Sequence, residues 1–320
     1  MQTLIIINPA AAKAKRFWPL IQEKLRSAGL QYELYETKCA GDATTKTRTA
    51  LYSNPTTVVV VGGDGTLSEA AEGFFEFSSD ISRPPKPVQP DGALAVLPAG
   101  TGNDFAGGLR GRGVAISVWI DALIRHLQDE ENAAKPIDVL YGRSDGYHRP
   151  FVCLNASTMG IGGETAGRVQ GQGSFMQRFS GEFRFLYAAL GALAVWRERR
   201  VRVTLDGREL IEGPMNLVAV LNAVYAGGGM MLSPEATLDD GALDVVTASG
   251  FDRPEIVREL GRVHNGGHVV NPKVTVARGS IVKIETFMAK DAMPIEVDGN
   301  LCGVTPVQFE VMPAALRFVV

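Results

Sequence analysis

Along the first 130 residues or so, the apolar positions arrive as short continuous runs separated by longer stretches of mixed polarity. "LIII" at 4–7, "TTVVVV" at 56–61 and "ALAVLP" at 93–98 have the uniform apolarity of strands buried on both faces, and "QYELYET" at 31–37 alternates like a half-buried strand. Between them lie segments with helical spacing: Lys15 to Ala28, closed by Gly29; "DATTKTRTALYS" behind Asp42; "TLSEAAEGFFEF", expected to start a helix at Thr66 or Leu67; and "AISVWIDALIRHLQDEEN". This βαβαβ series predicts an open α/β domain with a covered parallel sheet and a ligand at the carboxyl ends of its strands. The proline-rich "SRPPKPVQP" at 82–90 reads as a surface excursion, because the alternation resumes beyond it. Near Pro136 the pattern changes. "IDVLYG", "PFVCLNAS", "RVRVTLDG", "MNLVAVLNAV", "ALDVVTA", "PKVTVA", "SIVKIET", "MPIEVDG" and "VQFEV" are strand-like runs bounded by Gly, Asp or Asn. The expectation is an α/β domain over 1–136 and a mainly β domain, sandwich or barrel-like, over 137–320. The second carries one helical insert near 175–197, and the C-terminal tail is free to return to the first.

Composition adds exclusions. At 320 residues, 45% hydrophobic and 21% charged, with a net charge of -3, the chain is an ordinary folded protein without the broad basic surface that nucleic acid requires. Cys39, Cys153 and Cys302 are far apart and form no CxxC pair, so they read as free or buried thiols of a reducing compartment. The opening "MQTLIII" lacks a basic leader region and reads as a first strand, which leads us to expect a cytoplasmic protein. "FLYAALGALAVW" at 185–196 falls well short of the roughly 20 residues that span a bilayer. His264 and His268 have the spacing of helical metal ligands, but Gly266 and Gly267 between them favour a loop.

Two strand ends carry candidate chemistry. "VVVVGGDGTLSEA" passes from strand to helix through Gly62, Gly63, Asp64, Gly65 and Thr66, where unpaired helix N–H groups and missing Cβ atoms suit an anion, phosphate above all. It is neither GxGxxG nor GxxxxGK[ST], so the dinucleotide and P-loop readings both fail. "ALAVLPAGTGNDFAGGL" repeats the arrangement with Gly100, Thr101, Gly102, Asn103 and Asp104. Two such turns in consecutive βα units should lie side by side on one sheet edge. Carboxylates such as Asp64 and Asp104, facing bound phosphates, call for a cation such as Mg²⁺.

"GGDGT" at 62–66 resembles the superfamily of NAD kinases, phosphofructokinases and diacylglycerol kinases, and "LPAGTGNDFA" at 97–106 is similar to the diacylglycerol kinase catalytic domain family, of the bacterial lipid kinase type. "INPAAAK" (7–13), "ETKCAGDA" (36–43), "GGGMMLSPEATLDDGALDVV" (227–246) and "VDGN" (297–300) extend the resemblance over nearly the whole chain. It implies that ATP is contacted by Asn8, Thr37, the turn of Gly62, Gly63, Asp64, Gly65, Thr66, Leu67 and Ser68, and the second turn with Gly100, Thr101, Asn103 and Asp104. Ser68 stands where the family commonly has Asn. The resemblance also implies a structural Mg²⁺ held by Asp240 and the carbonyls of Thr237 and Ala242, with Asp64 and Asp104 linked to it through water.

The departure is at "VDGN". The family's DGE places a carboxylate where this chain has Asn300, and an amide is no useful acceptor for the proton of a lipid hydroxyl. Strand alternation puts Glu296 and Asp298 on one face, so the expected base is Asp298, with Glu296 the lesser candidate and a simple DG turn the structural reading. The helical insert, with Arg178, Arg184, Arg197, Arg199 and Arg200, reads mostly as core with an edge suited to a membrane surface. Together these imply an ATP- and Mg²⁺-dependent lipid kinase meeting its lipid at the membrane surface. The alternatives are a kinase for a soluble acceptor of the NAD type and a nucleotide-binding regulator without catalysis. The particular lipid and the oligomeric state are not legible.

Overall fold

The structure is a computed structural model that describes residues 2–54, 56–128, 134–173, 176, 179 and 181–320; Arg178 lies outside them. The chain forms two compact units, Met1–Val139 with Pro313–Val320 and Leu140–Met312.

In the first unit the order is β1 (Gln2–Ile7), α1 (Ala14–Ser27), β2 (Glu33–Glu36), α2 (Asp42–Ser53), β3 (Thr56–Gly62), α3 (Asp64–Gly73), β4 (Phe75–Glu76), β5 (Lys86–Pro87), β6 (Ala93–Pro98), α4 (Asp104–Arg110) and α5 (Ile116–Leu127). The strands pair in parallel in the order β2-β1-β3-β6, with Leu4 between Glu33 and Val58, and Val58 opposite Leu94. The chain's last strand joins in parallel beside β6 through Arg317 opposite Ala93 and Phe318 opposite Leu94. Val58, Val59, Val60 and Val61 are fully buried, as their uniform apolarity requires of a central parallel strand. Helix α3 begins at Asp64, two residues before its expected start, with Gly63 as its N-cap. It stops at Gly73 because Phe75 and Glu76 pair with Pro87 and Lys86, so part of the proline-rich excursion is a small hairpin.

A strand that leaves the first unit, β7 (Ala134–Ser144), opens the second. There follow β8 (Phe151–Cys153), β9 (Ala156–Gly160), α6 (Ile161–Gln170), α7 (Gly181–Val195), β10 (Arg199–Leu205), β11 (Arg208–Met215), β12 (Leu217–Leu221), β13 (Tyr225–Ala226), β14 (Met230–Met231), β15 (Leu243–Ala248), α8 (Arg253–Val263), β16 (Val274–Gly279), β17 (Ile281–Thr286), β18 (Pro294–Val297), β19 (Asn300–Val304) and β20 (Val307–Val319), whose last residues are the strand already met beside β6. Within this unit β11-β10-β17-β20 form one antiparallel sheet, and β16-β15-β12-β9-β18-β19 form a second. Val203, Val282, Ile284 and Phe309 from the first close a single core with Met159, Val218, Val245, Ile295 and Val297 from the second, which makes a β-sandwich.

This is the α/β domain and mainly β domain expected. Two helices went unforeseen. Helix α6 is too glycine-rich to signal itself, whereas α8 carries a capping box of Asp252 and Glu255 with a proline in its first turn. Cys39 is exposed and Cys153 and Cys302 are buried, all as free thiols. No helix among the described residues is long and apolar enough to cross a membrane.

Candidate functional site

The carboxyl ends of the parallel strands are stitched together by main-chain bonds. Asn8 N–H donates to the Val61 carbonyl (3.0 Å), Thr37 N–H to Ile7 (3.0 Å), Ala99 N–H to Gly62 (2.8 Å) and Lys13 N–H to Ala99 (2.8 Å). Side chains add to the stitching: Asn8 Nδ2 donates to Thr66 Oγ1 at 3.0 Å, and Asn103, in the left-handed region at φ 54°, brackets Gly100 through both its amide atoms. The two glycine turns do lie side by side. A Cβ on Gly100 would sit 2.6 Å from the Gly63 Cα, and one on Gly63 would sit 3.1 Å from the Gly100 Cα. A Cβ at Gly100 would collide with the facing main chain, so glycine is required there, and one at Gly63 would be tight. The N-termini of α3 and α4 thus open at the same sheet edge, where the N–H groups of the glycine turns and of the first turn of α3 favour an anion.

Asp64 has an unexpected part in this. Its carboxylate accepts from Asp104 N–H (3.0 Å) and Phe105 N–H (3.2 Å), so the first-turn acid of α3 caps the neighbouring helix α4. Asp104 is itself buried, with Arg112 Nη1 at 3.6 Å from its Oδ1. The structure therefore brings Asn8, Gly62, Gly63, Asp64, Gly65, Thr66, Gly100, Asn103 and Asp104 together, with Thr37 beside them on the next strand end. Thr101 is exposed and Ser68 half-buried at the rim. The Leu67 side chain is buried in the core, which leaves its main chain to face the turn.

In the second unit, Asp240 closes its own loop. Its carboxylate accepts from Thr237 Oγ1 (2.6 Å) and Ala242 N–H (3.0 Å) and pairs with Arg278 at 3.1 Å. Hard oxygen donors are in place for Mg²⁺, but Arg278, on β16, already supplies the positive charge. A cation would have to exchange for it. Among the described residues no three His, Cys, Asp or Glu side chains converge as a metal site. His264 and His268 face the carbonyls of Gly229 (3.3 Å) and Leu232 (3.1 Å).

The β18–β19 hairpin carries the remaining candidates. Asp298 and Gly299 form its tight turn with φ of 47° and 90°, the handedness that Asp-Gly supplies. The buried Asp298 carboxylate accepts from three consecutive main-chain N–H groups, Leu154 (2.8 Å), Asn155 (2.9 Å) and Ala156 (3.0 Å). It pins the β8–β9 connection to the hairpin. Burial and the Asp298 charge push the neighbouring Cys153 thiol well up. Glu296 accepts from Thr158 Oγ1 (2.6 Å) and Gly299 N–H (2.5 Å), and burial pushes it up to about 7 despite those two bonds. Above it lies α6, whose glycines allow close approach; a Cβ on Gly163 would fall 2.2 Å from the Pro294 carbonyl oxygen. Asn300 is exposed and pairs with Val297, whereas Glu296 pairs with Leu301, so positions 296 and 300 face opposite sides of the hairpin.

An α/β unit with paired glycine turns, joined to a β-sandwich unit, defines a class of kinase domain, and comparison with known proteins identifies which. Residues 2–139 match the diacylglycerol kinase catalytic domain and residues 160–320 the YegS C-terminal NAD kinase beta sandwich-like domain. The chain belongs to the diacylglycerol kinase and YegS-like lipid kinase family, and it is accordingly an enzyme of the phosphotransferase class. It is 29% identical to the diacylglycerol kinase of Staphylococcus carnosus (strain TM300) over 95% of this chain and 90% of that one. It is 31% identical to a "Probable lipid kinase YegS-like" of Xanthomonas campestris pv. campestris (strain 8004), over 76% of this chain and 72% of the relative. The crystal structure of a diacylglycerol kinase from Bacillus anthracis str. Sterne shares the fold with a TM-score of 0.68 at 22% identity, covering 99% of this chain and 96% of that one.

Proposed function

We propose that this protein transfers the γ-phosphoryl group of ATP, bound as its Mg²⁺ complex, to the hydroxyl of a membrane lipid such as diacylglycerol. The observation that carries the reading is the pair of interlocked turns at Gly63 and Gly100, which brings two glycine turns and the N-terminus of α3 to one sheet edge, with open space beside Gly65. Asn8, Thr37, Gly62 to Ser68, Gly100, Thr101, Asn103 and Asp104 are the nucleotide-facing set, with Leu67 acting through its main chain. Phosphoryl transfer depends mainly on positioning and charge stabilisation, so fixed main-chain donors supply much of what the reaction needs. The names of the relatives support a lipid acceptor. The enzyme would then work at a membrane surface from the cytoplasmic side, with no nucleic-acid partner.

For the proton of the attacking hydroxyl, the sequence pointed to Asp298, with Asn300 at the position of the family's usual acid. The hydrogen bonding favours dividing the work. Asp298 has both oxygens committed to the 154–156 main chain and suits holding the hairpin; Glu296, half-buried and poised near neutrality, suits accepting a proton. The proton would leave on the α6 face, opposite Asn300, which makes an amide at 300 tolerable. In the 237–242 loop, Thr237, Asp240 and Ala242 are the proposed holders of a structural Mg²⁺ in exchange for Arg278; added Mg²⁺ should then raise the melting temperature of wild type and not of Asp240→Asn.

The test is a panel assay with labelled ATP and Mg²⁺, offering diacylglycerol, phosphatidylglycerol and sphingoid-base vesicles beside soluble NAD, with product mass as readout. Labelled lipid is the expected result. Labelled NAD without labelled lipid would overturn the reading in favour of a soluble acceptor, and ATP binding without turnover of any acceptor would favour the regulatory alternative.

A further inference from the structure

Helix α6 starts directly behind β9, and two of its glycines press on the pair formed by Thr158 and Glu296. The two residues stand opposite each other across β9 and β18. Thr158, itself buried, donates from Oγ1 to Glu296 Oε2 at 2.6 Å, and Gly299 N–H holds the other carboxylate oxygen, Oε1, at 2.5 Å. Ser157 beside them donates to the Glu296 carbonyl at 2.7 Å, which fixes the main chain from which the carboxylate hangs.

The bond from Thr158 exists because position 162 has no side chain. A Cβ on Gly162 would stand 2.6 Å from Thr158 Oγ1 and 2.8 Å from its Cβ, so the hydroxyl fills the space that any other residue would claim. Gly163 seats the helix at this height, since a Cβ there would strike the Pro294 carbonyl oxygen. Threonine is branched at Cβ and has few χ1 positions, so a group added at 162 turns the hydroxyl out of line with Glu296 rather than nudging it. The titratable groups around the carboxylate are Asp298 in its own hairpin and the Cys153 thiol on β8, while α6 carries Glu164 paired with Arg168 at 3.6 Å. Burial and the Asp298 charge work against ionisation of Glu296, and the bonds from Thr158 and Gly299 work for it.

We propose that Thr158 is a positioning residue for Glu296, kept in its donating rotamer by the missing side chain at Gly162, and that it holds the carboxylate oriented and able to ionise inside the fold. The functional part rests on the reading of Glu296 as the proton acceptor. Without the hydroxyl, burial leaves the carboxyl protonated over the range in which a base is needed, so one threonine and one glycine on neighbouring elements decide whether the group can act.

The test reads the titration of Glu296 without turnover, as the pH-dependent difference in denaturant midpoint between each protein and the same protein carrying Glu296→Gln. In wild type that difference should level off as pH passes about 7. Thr158→Val, which keeps the shape and loses the donor, should move that point up by about one pH unit, and Thr158→Ser should restore it. Gly162→Ala should move it in the same direction, and the double variant no further than either change alone. Gly167→Ala, whose Cβ would meet only Leu301 Cδ1 at 3.5 Å, should leave it in place. Turnover should follow with the same upward displacement of its pH profile, a several-fold loss at pH 7 regained at pH 9, and an unchanged KM for ATP. A titration that stays put in Thr158→Val, or effects of Thr158→Val and Gly162→Ala that add, would overturn the proposal. A displaced titration with an unmoved pH profile of turnover would uphold the positioning of the carboxylate and overturn Glu296 as the proton acceptor. Should Gly162→Ala fail to fold, Thr158→Val and Thr158→Ser decide the matter alone.

Discussion

The two regions to which chemistry is assigned, the glycine turns of the first unit and the β18–β19 hairpin of the second, use acidic residues in the same way and differ in what faces the ligand. Asp64 holds the main chain of Asp104 and Phe105; Asp298 holds the main chain of Leu154, Asn155 and Ala156. In each, an acid that looks reactive in the sequence is an anchor for a neighbouring backbone. In the turns, the groups proposed to meet a ligand are the backbone N–H donors of the glycines and of the start of α3, since those of Asp104 and Phe105 are held by Asp64. In the hairpin, the group left over is a side chain, Glu296, whose character depends on what buries it. A site built from main chain is robust to side-chain exchange and intolerant of added volume. A site built from a tuned side chain is the reverse.

Adding volume to the turns should give the largest effect. Gly100→Val places branched carbons against Gly63, and nucleotide affinity measured by calorimetry should fall below detection while Gly65→Ala, where no atom lies within 4 Å of a new Cβ, stays close to wild type. Equal losses in both would break the comparison. Next comes Glu296→Gln, expected to lower turnover roughly 100-fold and to abolish the rise in activity as pH passes about 7, where the carboxyl becomes the proton-accepting form. If Asp298→Asn instead removes that rise and Glu296→Gln keeps it, Asp298 is the base.

The hairpin also makes a stability prediction with a defined sign. Because the folded Glu296 holds its proton up to about 7, above the unfolded 4.5, its relative stabilisation is complete below about pH 4.5 and is lost as pH rises through 7. Glu296→Gln should thus stabilise the protein at pH 8 by about 3 kcal/mol relative to its effect at pH 4.5, readable from denaturant midpoints. Asp64→Ala removes the cap of α4 and should cost about 1 kcal/mol in the same measurement. The smallest effect expected is for Asn300→Glu, a change of only a few-fold in turnover, because position 300 faces away from Glu296.

This contrast also accounts for what could be read without coordinates. The turns were legible because close backbone approach admits a single residue type, and "GGDGT" and "AGTGND" state that requirement in consecutive letters. That Asp64 caps α4 and not its own helix was not legible, since a bond between residues 40 apart leaves no local trace. The sandwich showed itself through period-two runs, but the bonds that tune Glu296 come from Thr158 and from a hairpin closure that no spacing encodes. Helix α8 could have been found from "DRPE", an N-cap, a proline and the capping-box acid in succession. Helix α6 could not, because its three glycines oppose helix formation, and Gly163 among them lets it lie close to β18. Arg278 was passed over because the loop it neutralises is remote in sequence from its own strand.

The last strand has a consequence for how the molecule is made. Pro313 to Val320 belong to the first unit and complete its sheet beside Ala93 and Leu94. During synthesis the edge of β6 leaves the ribosome roughly 200 residues ahead of the strand that covers it, an interval on the order of 10–40 s at ordinary translation rates. For that time the first unit exists as an open sheet, competent to pair with any passing strand. A fragment ending at Val139 would stay in that condition permanently, so the catalytic half of this kinase is expected to be the part least able to be expressed by itself.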